Sequence, residues 1–291
     1  MATAPLPPNW PWRASARQIR ARPHDWCVID HGTGRKLLFL HGAGASGHSF
    51  RHLIPALPGW RAIVPDLPGQ GFTRAGSRSR FGIEPMAEDL AQLLMQEDLR
   101  PDVVIGHSAG AALALQLSTL IPLQAVVGIN AALGQFDGAA GFLFPLMARA
   151  LAATPFVATL VSRTLGRDAK IQSLLQNTGS NLDPAGVAQY LALVKRPEHV
   201  DGTLGMMAQW RIDRLMARAP QFTARTLLLA TAGDRVVPPS VSRKAAALLP
   251  RADYLELPGL GHLAHEEDAS AVAGAITDWL ANGAPGTGQI S

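Results

Sequence analysis

Ser108 stands in Gly106-His107-Ser108-Ala109-Gly110, after the apolar run 103–105 and before the helical run 111–120. A serine on a sharp strand-to-helix turn needs small neighbours, because its strained backbone brings two elements into close approach. The helix that follows aims its N-terminus at the turn, where negative charge developing in a reaction is stabilised. A bare Gly-x-Ser-x-Gly is common in glycine-rich chains; its place between a strand and a helix marks Ser108 as a candidate nucleophile.

A serine hydroxyl needs a base. His262, in Leu257-Pro258-Gly259-Leu260-Gly261-His262, follows a late strand and is the candidate. His265 is its rival, expected instead to cap the last helix or face solvent. The base needs a carboxylate to fix its tautomer, and Asp234 in Gly233-Asp234-Arg235-Val236-Val237-Pro238 follows the preceding strand. The bland reading of Asp234 is a turn or N-cap aspartate. Asn130, after the strand before that, cannot carry the charge. Two backbone N–H groups are candidates for holding an oxyanion. One is Ala109, and the other is Ala43 in the loop His41-Gly42-Ala43-Gly44. Loss of one such donor typically costs about 3 kcal/mol of transition-state stabilisation. Ser46 and His48 on the same loop are expected to stabilise it.

These groups must be presented by a framework, and the periodicity supplies one. Short apolar runs at 26–30, 36–40, 61–65, 102–106 and 125–130 alternate with helical patterns, among them Met86, Leu90, Leu93 and Leu94. Strands joined by helical crossovers imply a mostly parallel sheet. From about 134 to 218 the sequence is helical, with no strand pattern. Strands return at 226–230 and 253–257, followed by a last helix carrying Val272, Ile276, Trp279 and Leu280 on one face. The expected organisation is a basic arm at 1–25, a core at 26–133 and 219–281, a helical cap at 134–218 and a tail at 282–291. An insertion of that length is expected to be functional.

Composition narrows the classes. The 291 residues are 47% hydrophobic and 16% charged, which excludes a disordered chain. Runs 139–161 and 111–129 are interrupted by Arg149 and by Pro122, Pro145 and Pro155, so buried helices are expected rather than membrane spans. Cys27 is the sole cysteine, which excludes an intrachain disulfide. With no signal-peptide pattern, a cytoplasmic setting is the default. The net charge of +4 is too small and too dispersed to suggest nucleic-acid binding. Its one concentration is Arg13, Arg17, Arg20 and Arg22 beside Trp10 and Trp12, read either as a solvated arm packed on the first strand or as a peripheral contact at an inner-membrane surface.

Taken together, the His41-Gly42 loop, Asp66-Leu67-Pro68-Gly69-Gln70-Gly71, the Ser108 turn, Gly233-Asp234 and Gly261-His262 resemble the α/β-hydrolase superfamily over about residues 26–281. The resemblance implies an α/β-hydrolase fold, a mostly parallel sheet flanked by helices with a helical cap insertion. It also implies a triad in the chain order Ser108, Asp234, His262. Asp66 and its glycines are read as loop-forming. Serine at 108 argues against the dehalogenase and epoxide-hydrolase branches, which carry aspartate there.

A narrower resemblance lies in the insertion. Asn130-Ala131-Ala132-Leu133, Phe136 to Gly141, Phe144-Pro145, Gly179-Ser180, the run 182–188, His199-Val200 and Met206-Met207-Ala208-Gln209-Trp210 are similar to the magnesium-chelatase accessory proteins of bacteriochlorophyll biosynthesis (the BchO type). Asn9-Trp10 and the nearby arginines fit the same group. The resemblance implies a place near magnesium insertion into a porphyrin, and chelatase subunits as partners. Phe136, Phe142, Phe144, Met147, Met206, Met207 and Trp210 make the cap rich in large apolar groups, suited to a bulky apolar ligand such as a porphyrin. Arg149, Arg163 and Arg167 could anchor propionates or lie on the surface. No His, Cys or carboxylate cluster has metal-ligand spacing, and no cofactor is expected. Two functions are therefore open: a serine hydrolase of an ester-type bond, and a porphyrin-binding accessory protein whose triad is idle.

Overall fold

A computed structural model describes residues 5–134, 156–165 and 168–282. Eight strands form one sheet: β1 (Ala16–Ala21), β2 (His24–His31), β3 (Arg35–Leu40), β4 (Trp60–Pro65), β5 (Val103–His107), β6 (Ala125–Ile129), β7 (Arg225–Thr231) and β8 (Ala252–Leu257). Their order is β1-β2-β4-β3-β5-β6-β7-β8. β1 pairs antiparallel with β2 and β2 antiparallel with β4; every later pairing is parallel. The parallel strands β5 and β6 are buried along their whole length, as near-continuous Val and Ile runs require when helices cover both faces.

Helix α1 (Ile83–Gln96) buries the stripe Met86, Leu90, Leu93 and Leu94 against one face of the sheet. It packs beside α2 (Ala109–Leu117), which is buried on every side. The other face is covered partly by the last helix, Ala269–Ala281, through Val272 and Ile276. Trp279 and Leu280, expected on the same stripe, are only partly buried.

Between β6 and β7 the described residues form five α-helices, a short 3-10 turn at Ala219–Gln221 and no strand. The helices are α3 (Val157–Leu165), α4 (Asp168–Asn177), α5 (Pro184–Val194), α6 (Pro197–Gln209) and α7 (Asp213–Ala217). α6 lies against the loops after β3 and β4, where Gly71 N–H donates to His199 Nδ1 at 2.9 Å and His199 Nε2–H to Gly44 O at 3.2 Å. The turn after α4 lies instead against the loops after β7 and β8. Described parts of the insertion therefore flank the Ser108 turn on two sides.

The amino-terminal segment packs on the strand at 26–30, which lies within β2, as one of the two readings of the arm had it. Residues 16–21 form edge strand β1, with Ile19 and Ala21 directed inward. Trp10 is buried against Cys27, Phe72 and Leu193, and Trp12 lies against His31 in a tilted arrangement with ring centroids 4.5 Å apart. Arg17 pairs with Asp30 at 3.0 Å and Arg20 with Asp25 at 3.1 Å. The tryptophans that suggested a surface anchor are thus used for packing. Among the described residues, no helix is long and apolar enough to cross a membrane.

Candidate active site

Ser108 occupies the junction of β5 and α2 with φ 53° and ψ −116°, a region that non-glycine residues rarely enter. The strain is held by Ser108 N–H donating to Ile129 O at 2.9 Å and by Ala111 and Ala132 N–H donating to Ser108 O, both at 3.1 Å. Gly110 must lack a side chain, since a Cβ there would stand 2.0 Å from Leu40 O. Ala109 opens α2, so its N–H has no carbonyl one turn back within the helix.

The loop after β3 backs directly onto this turn. A Cβ on Gly42 would meet Ser108 Cβ at 3.1 Å and His107 Nδ1 at 2.9 Å. Ala43 is the exposed tip of that loop. The loop is pinned from three directions: His41, whose Nδ1–H donates to Gly42 O at 2.8 Å, accepts from Leu67 N–H through Nε2 at 2.9 Å, Gly44 N–H donates to Gln70 Oε1 at 2.7 Å, and His199 holds Gly44 O. Burial lowers the pKa of His41 to about 4 and that of His199 to about 3. Both rings stay neutral, and each has one nitrogen donating while the other accepts.

Asp234 and His262 come from the loops after β7 and β8. Asp234 Oδ2 accepts from His262 Nδ1–H at 2.7 Å, and both side chains are almost fully buried. The other carboxylate oxygen, Oδ1, accepts from Val236 N–H at 2.7 Å and Val237 N–H at 2.8 Å, which fixes its orientation. With Nδ1 protonated, His262 Nε2 carries the lone pair that a base requires. Among the described residues no hydrogen bond joins Ser108 Oγ to His262. The imidazole is nevertheless placed beside the serine turn, because His107 Nε2–H donates to His262 O at 2.9 Å and the two rings lie 4.7 Å apart. Asn130 Nδ2 donates to the same carbonyl at 3.0 Å and to Gly261 O at 3.1 Å.

His265 neither caps a helix nor faces solvent. It is fully buried, its ring centroid 4.4 Å from that of His107 and 5.1 Å from that of Phe50, and burial lowers its pKa to about 3. Asp66 is the loop-forming residue expected: its carboxylate accepts from Gly47 N–H at 2.7 Å and Phe72 N–H at 2.8 Å. Ser46 and His48 bond each other at 2.8 Å in the turn after Gly44. Met206 is buried. It is 1% exposed in the core and contacts Gln70 Nε2 through sulfur at 3.0 Å. Met207 and Trp210 are half-buried, with Trp210 packed against the core. Phe136, Phe142, Phe144, Met147, Arg149 and Arg167 lie outside the described residues, and Arg163 is exposed.

His107, Asn130, Gln70 and His199 position the site without having been assigned that role from the sequence. His107 and Asn130 adjoin motif residues, and His199 lies in a segment that carried the narrower resemblance. Among the described residues no three His, Cys, Asp or Glu side chains converge as a metal site. Two surface grooves, one of about 560 Å³ lined by Glu84, Gln209 and Arg211 and one of about 600 Å³ lined by Gln92 and Met95, contain none of the triad candidates.

The sheet order and the strand-turn-helix serine define a class, and comparison with known proteins agrees with it. The chain belongs to the alpha/beta hydrolase fold family, which matches residues 36–269. Within that family it groups with the magnesium-chelatase 30 kDa subunit of Rhodobacter capsulatus, to which it is 52% identical over 278 residues, covering 94% of this chain and 98% of that one. Among solved structures, a thermophilic esterase from Thermogutta terrifontis superposes with a TM-score of 0.72 at 22% identity, covering 92% of this chain and 98% of the other. The epoxide hydrolase CorEH superposes with a TM-score of 0.76 at 18% identity, covering 92% and 98%. At these identities the two structures speak for the fold alone.

Proposed function

We propose that the chain is a serine hydrolase that cleaves an ester-type bond in a bulky apolar substrate, acting in magnesium-porphyrin (bacteriochlorophyll) biosynthesis. The observation that carries the chemistry is the 2.7 Å bond between Asp234 and His262, set beside a serine in a strained turn. Ser108 Oγ attacks the substrate carbonyl while His262 Nε2 takes its proton. Asp234 holds the productive tautomer and stabilises the imidazolium. The N–H groups of Ala43 and Ala109 receive the oxyanion. Collapse expels the alcohol, protonated by His262, and leaves an acyl group on Ser108. Water, deprotonated by His262, then releases the acid and restores the serine.

The pathway assignment rests on the 52% identity to a magnesium-chelatase subunit, which also makes chelatase subunits the partners of choice. Phe136, Phe144, Met147, Met206, Met207 and Trp210 are the proposed apolar contacts.

That same relative favours a second reading, in which the fold binds a porphyrin beside the chelatase and the triad is idle. Turnover of p-nitrophenyl esters by the wild type and by Ser108→Ala, together with titration of tryptophan fluorescence by protoporphyrin, separates the two. Turnover that vanishes in Ser108→Ala supports the hydrolase. Quenching at micromolar protoporphyrin with no ester turnover supports the binding protein and overturns the hydrolase.

A further inference from the structure

The turn at residues 178–181, which follows α4, closes with Thr178 N–H donating to Leu175 O and Gly179 N–H to Gln176 O, both at 3.0 Å. It then touches both loops that carry the candidate acid and base. Thr178 O accepts from Arg235 N–H at 3.2 Å and from His262 N–H at 3.3 Å. Ser180, fully buried, accepts from Leu263 N–H through Oγ at 2.8 Å. Glu267 bridges the same two segments, its carboxylate accepting from Gly261 N–H at 2.8 Å and Asn181 N–H at 3.1 Å.

The packing is equally close. Gly179 has φ +89°, and a Cβ on it would lie 2.1 Å from Gly233 O, while a Cβ on Gly261 would lie 2.3 Å from Gly179 C. The glycines one residue before Asp234 and one residue before His262 are therefore both pressed against one cap glycine. The ladder between β7 and β8 ends at the pair Thr231 and Leu257, before either loop delivers its side chain. Past that point the spacing of the two loops depends on a few backbone bonds between them, such as Gly233 N–H to Leu260 O at 2.9 Å, and on this turn.

We infer that Thr178, Gly179 and Ser180 are positioning residues, and that this turn of the cap is the clasp holding Asp234 and His262 at bonding distance. The inference rests on the reading of that pair as the acid-base pair of a hydrolase. A bond between side chains on two separate loops survives only while the loops keep their spacing, and a misplacement near 1 Å in such a site costs on the order of a hundredfold in rate. The cap edge and the acid-base pair thus move as one body. A ligand or partner that shifts the cap at this edge also alters the strength of the base.

Ser180→Ala removes the acceptor for Leu263 N–H without adding an atom, and Gly179→Ala forces a methyl against Gly233 O. Two readouts are compared with wild type: the downfield proton NMR signal of His262 Nδ1–H, and the pH profile of Ser108 phosphonylation by a fluorophosphonate. Ser180→Ala, with a cooperative unfolding transition retained, is expected to move or broaden the downfield signal. It should also shift the phosphonylation midpoint and slow the reaction roughly tenfold. Gly179→Ala should do more; if it does not fold, Ser180→Ala decides. An unmoved downfield signal together with an unchanged pH midpoint in Ser180→Ala overturns the clasp. A wild type that is not phosphonylated overturns the hydrolase reading instead, and the NMR comparison still decides the clasp.

Discussion

His107 donates its Nε2–H to the main-chain carbonyl of His262 at 2.9 Å, so the residue before the candidate nucleophile holds the residue that would activate it. His107 ends β5 and His262 lies on the loop after β8, 155 residues apart in sequence. Replacing His107 with leucine removes one of two donors to that carbonyl and leaves Asn130 as the other. Because the carbonyl keeps a donor, the loss is that of one net hydrogen bond, about 0.5–1.5 kcal/mol. His107→Leu is expected to lower the urea midpoint accordingly and to slow Ser108 phosphonylation. Full wild-type reactivity in the variant would show that Asn130 alone suffices.

Asp234→Asn with its Oδ1 still accepting from Val236 and Val237 presents an amide NH2 to His262 in place of a carboxylate oxygen. The tautomer with a bare Nε2 loses its electrostatic support. Phosphonylation should fall by roughly 10³–10⁴-fold with little change in unfolding midpoint, the pattern of a triad aspartate lost without loss of geometry. A fall below tenfold would mean that Asp234 serves the turn and not the base.

Arg51 and Glu266 form a buried ion pair that ties the core to the cap, because Glu266 also accepts from Tyr190 at 2.7 Å and Arg51 from its other side reaches Asp183 at 3.3 Å. Removing only the cation strands the carboxylate. Arg51→Leu is expected to destabilise the protein by about 3–5 kcal/mol in urea denaturation, and Arg51→Leu with Glu266→Leu to recover part of that loss. Equal stability of the single and double variants would contradict the pairing.

Burial also sets the pH dependence. The rings of His41, His199 and His265 have pKa values lowered to about 4, 3 and 3, and His48 and His107 shift the same way. The unfolded chain protonates these rings from about pH 6.5 downward while the folded protein does not, so their stabilisation is complete above pH 6.5 and lost as pH falls toward 4. Asp66 and Glu266 oppose this: burial raises them to about 6 and about 7, so their contribution declines as pH rises across that window. The rings outnumber the carboxyls, and the urea midpoint should drop between pH 7 and pH 5. His265→Phe, which keeps an aromatic ring beside Phe50 and His107, should flatten the drop; an undiminished slope would contradict the assignment.

The serine turn and the two loops bearing Asp234 and His262 are legible in the sequence because each is a local pattern of glycines at the end of an apolar run. Strand β1 is not, because Arg17, Gln18 and Arg20 alternate with Ile19 and Ala21 on an edge whose pairing with β2 only the fold reveals. The burial of Trp10 depends on Leu193, far along the chain in the cap. His265 looks like a helix-start residue until the short turn that carries it tucks the ring behind His107. The role of residues 178–181 is invisible for the same reason. Their partners are backbone N–H groups, which carry no signature in the sequence.

Whether Ser108 is a nucleophile served by His262 is decided by mass spectrometry after fluorophosphonate treatment of the folded protein. The expected result is a single adduct on the peptide containing Ser108, absent in Ser108→Ala and strongly slowed in His262→Gln. No adduct on the folded wild type, or an adduct that persists in Ser108→Ala, would contradict that role.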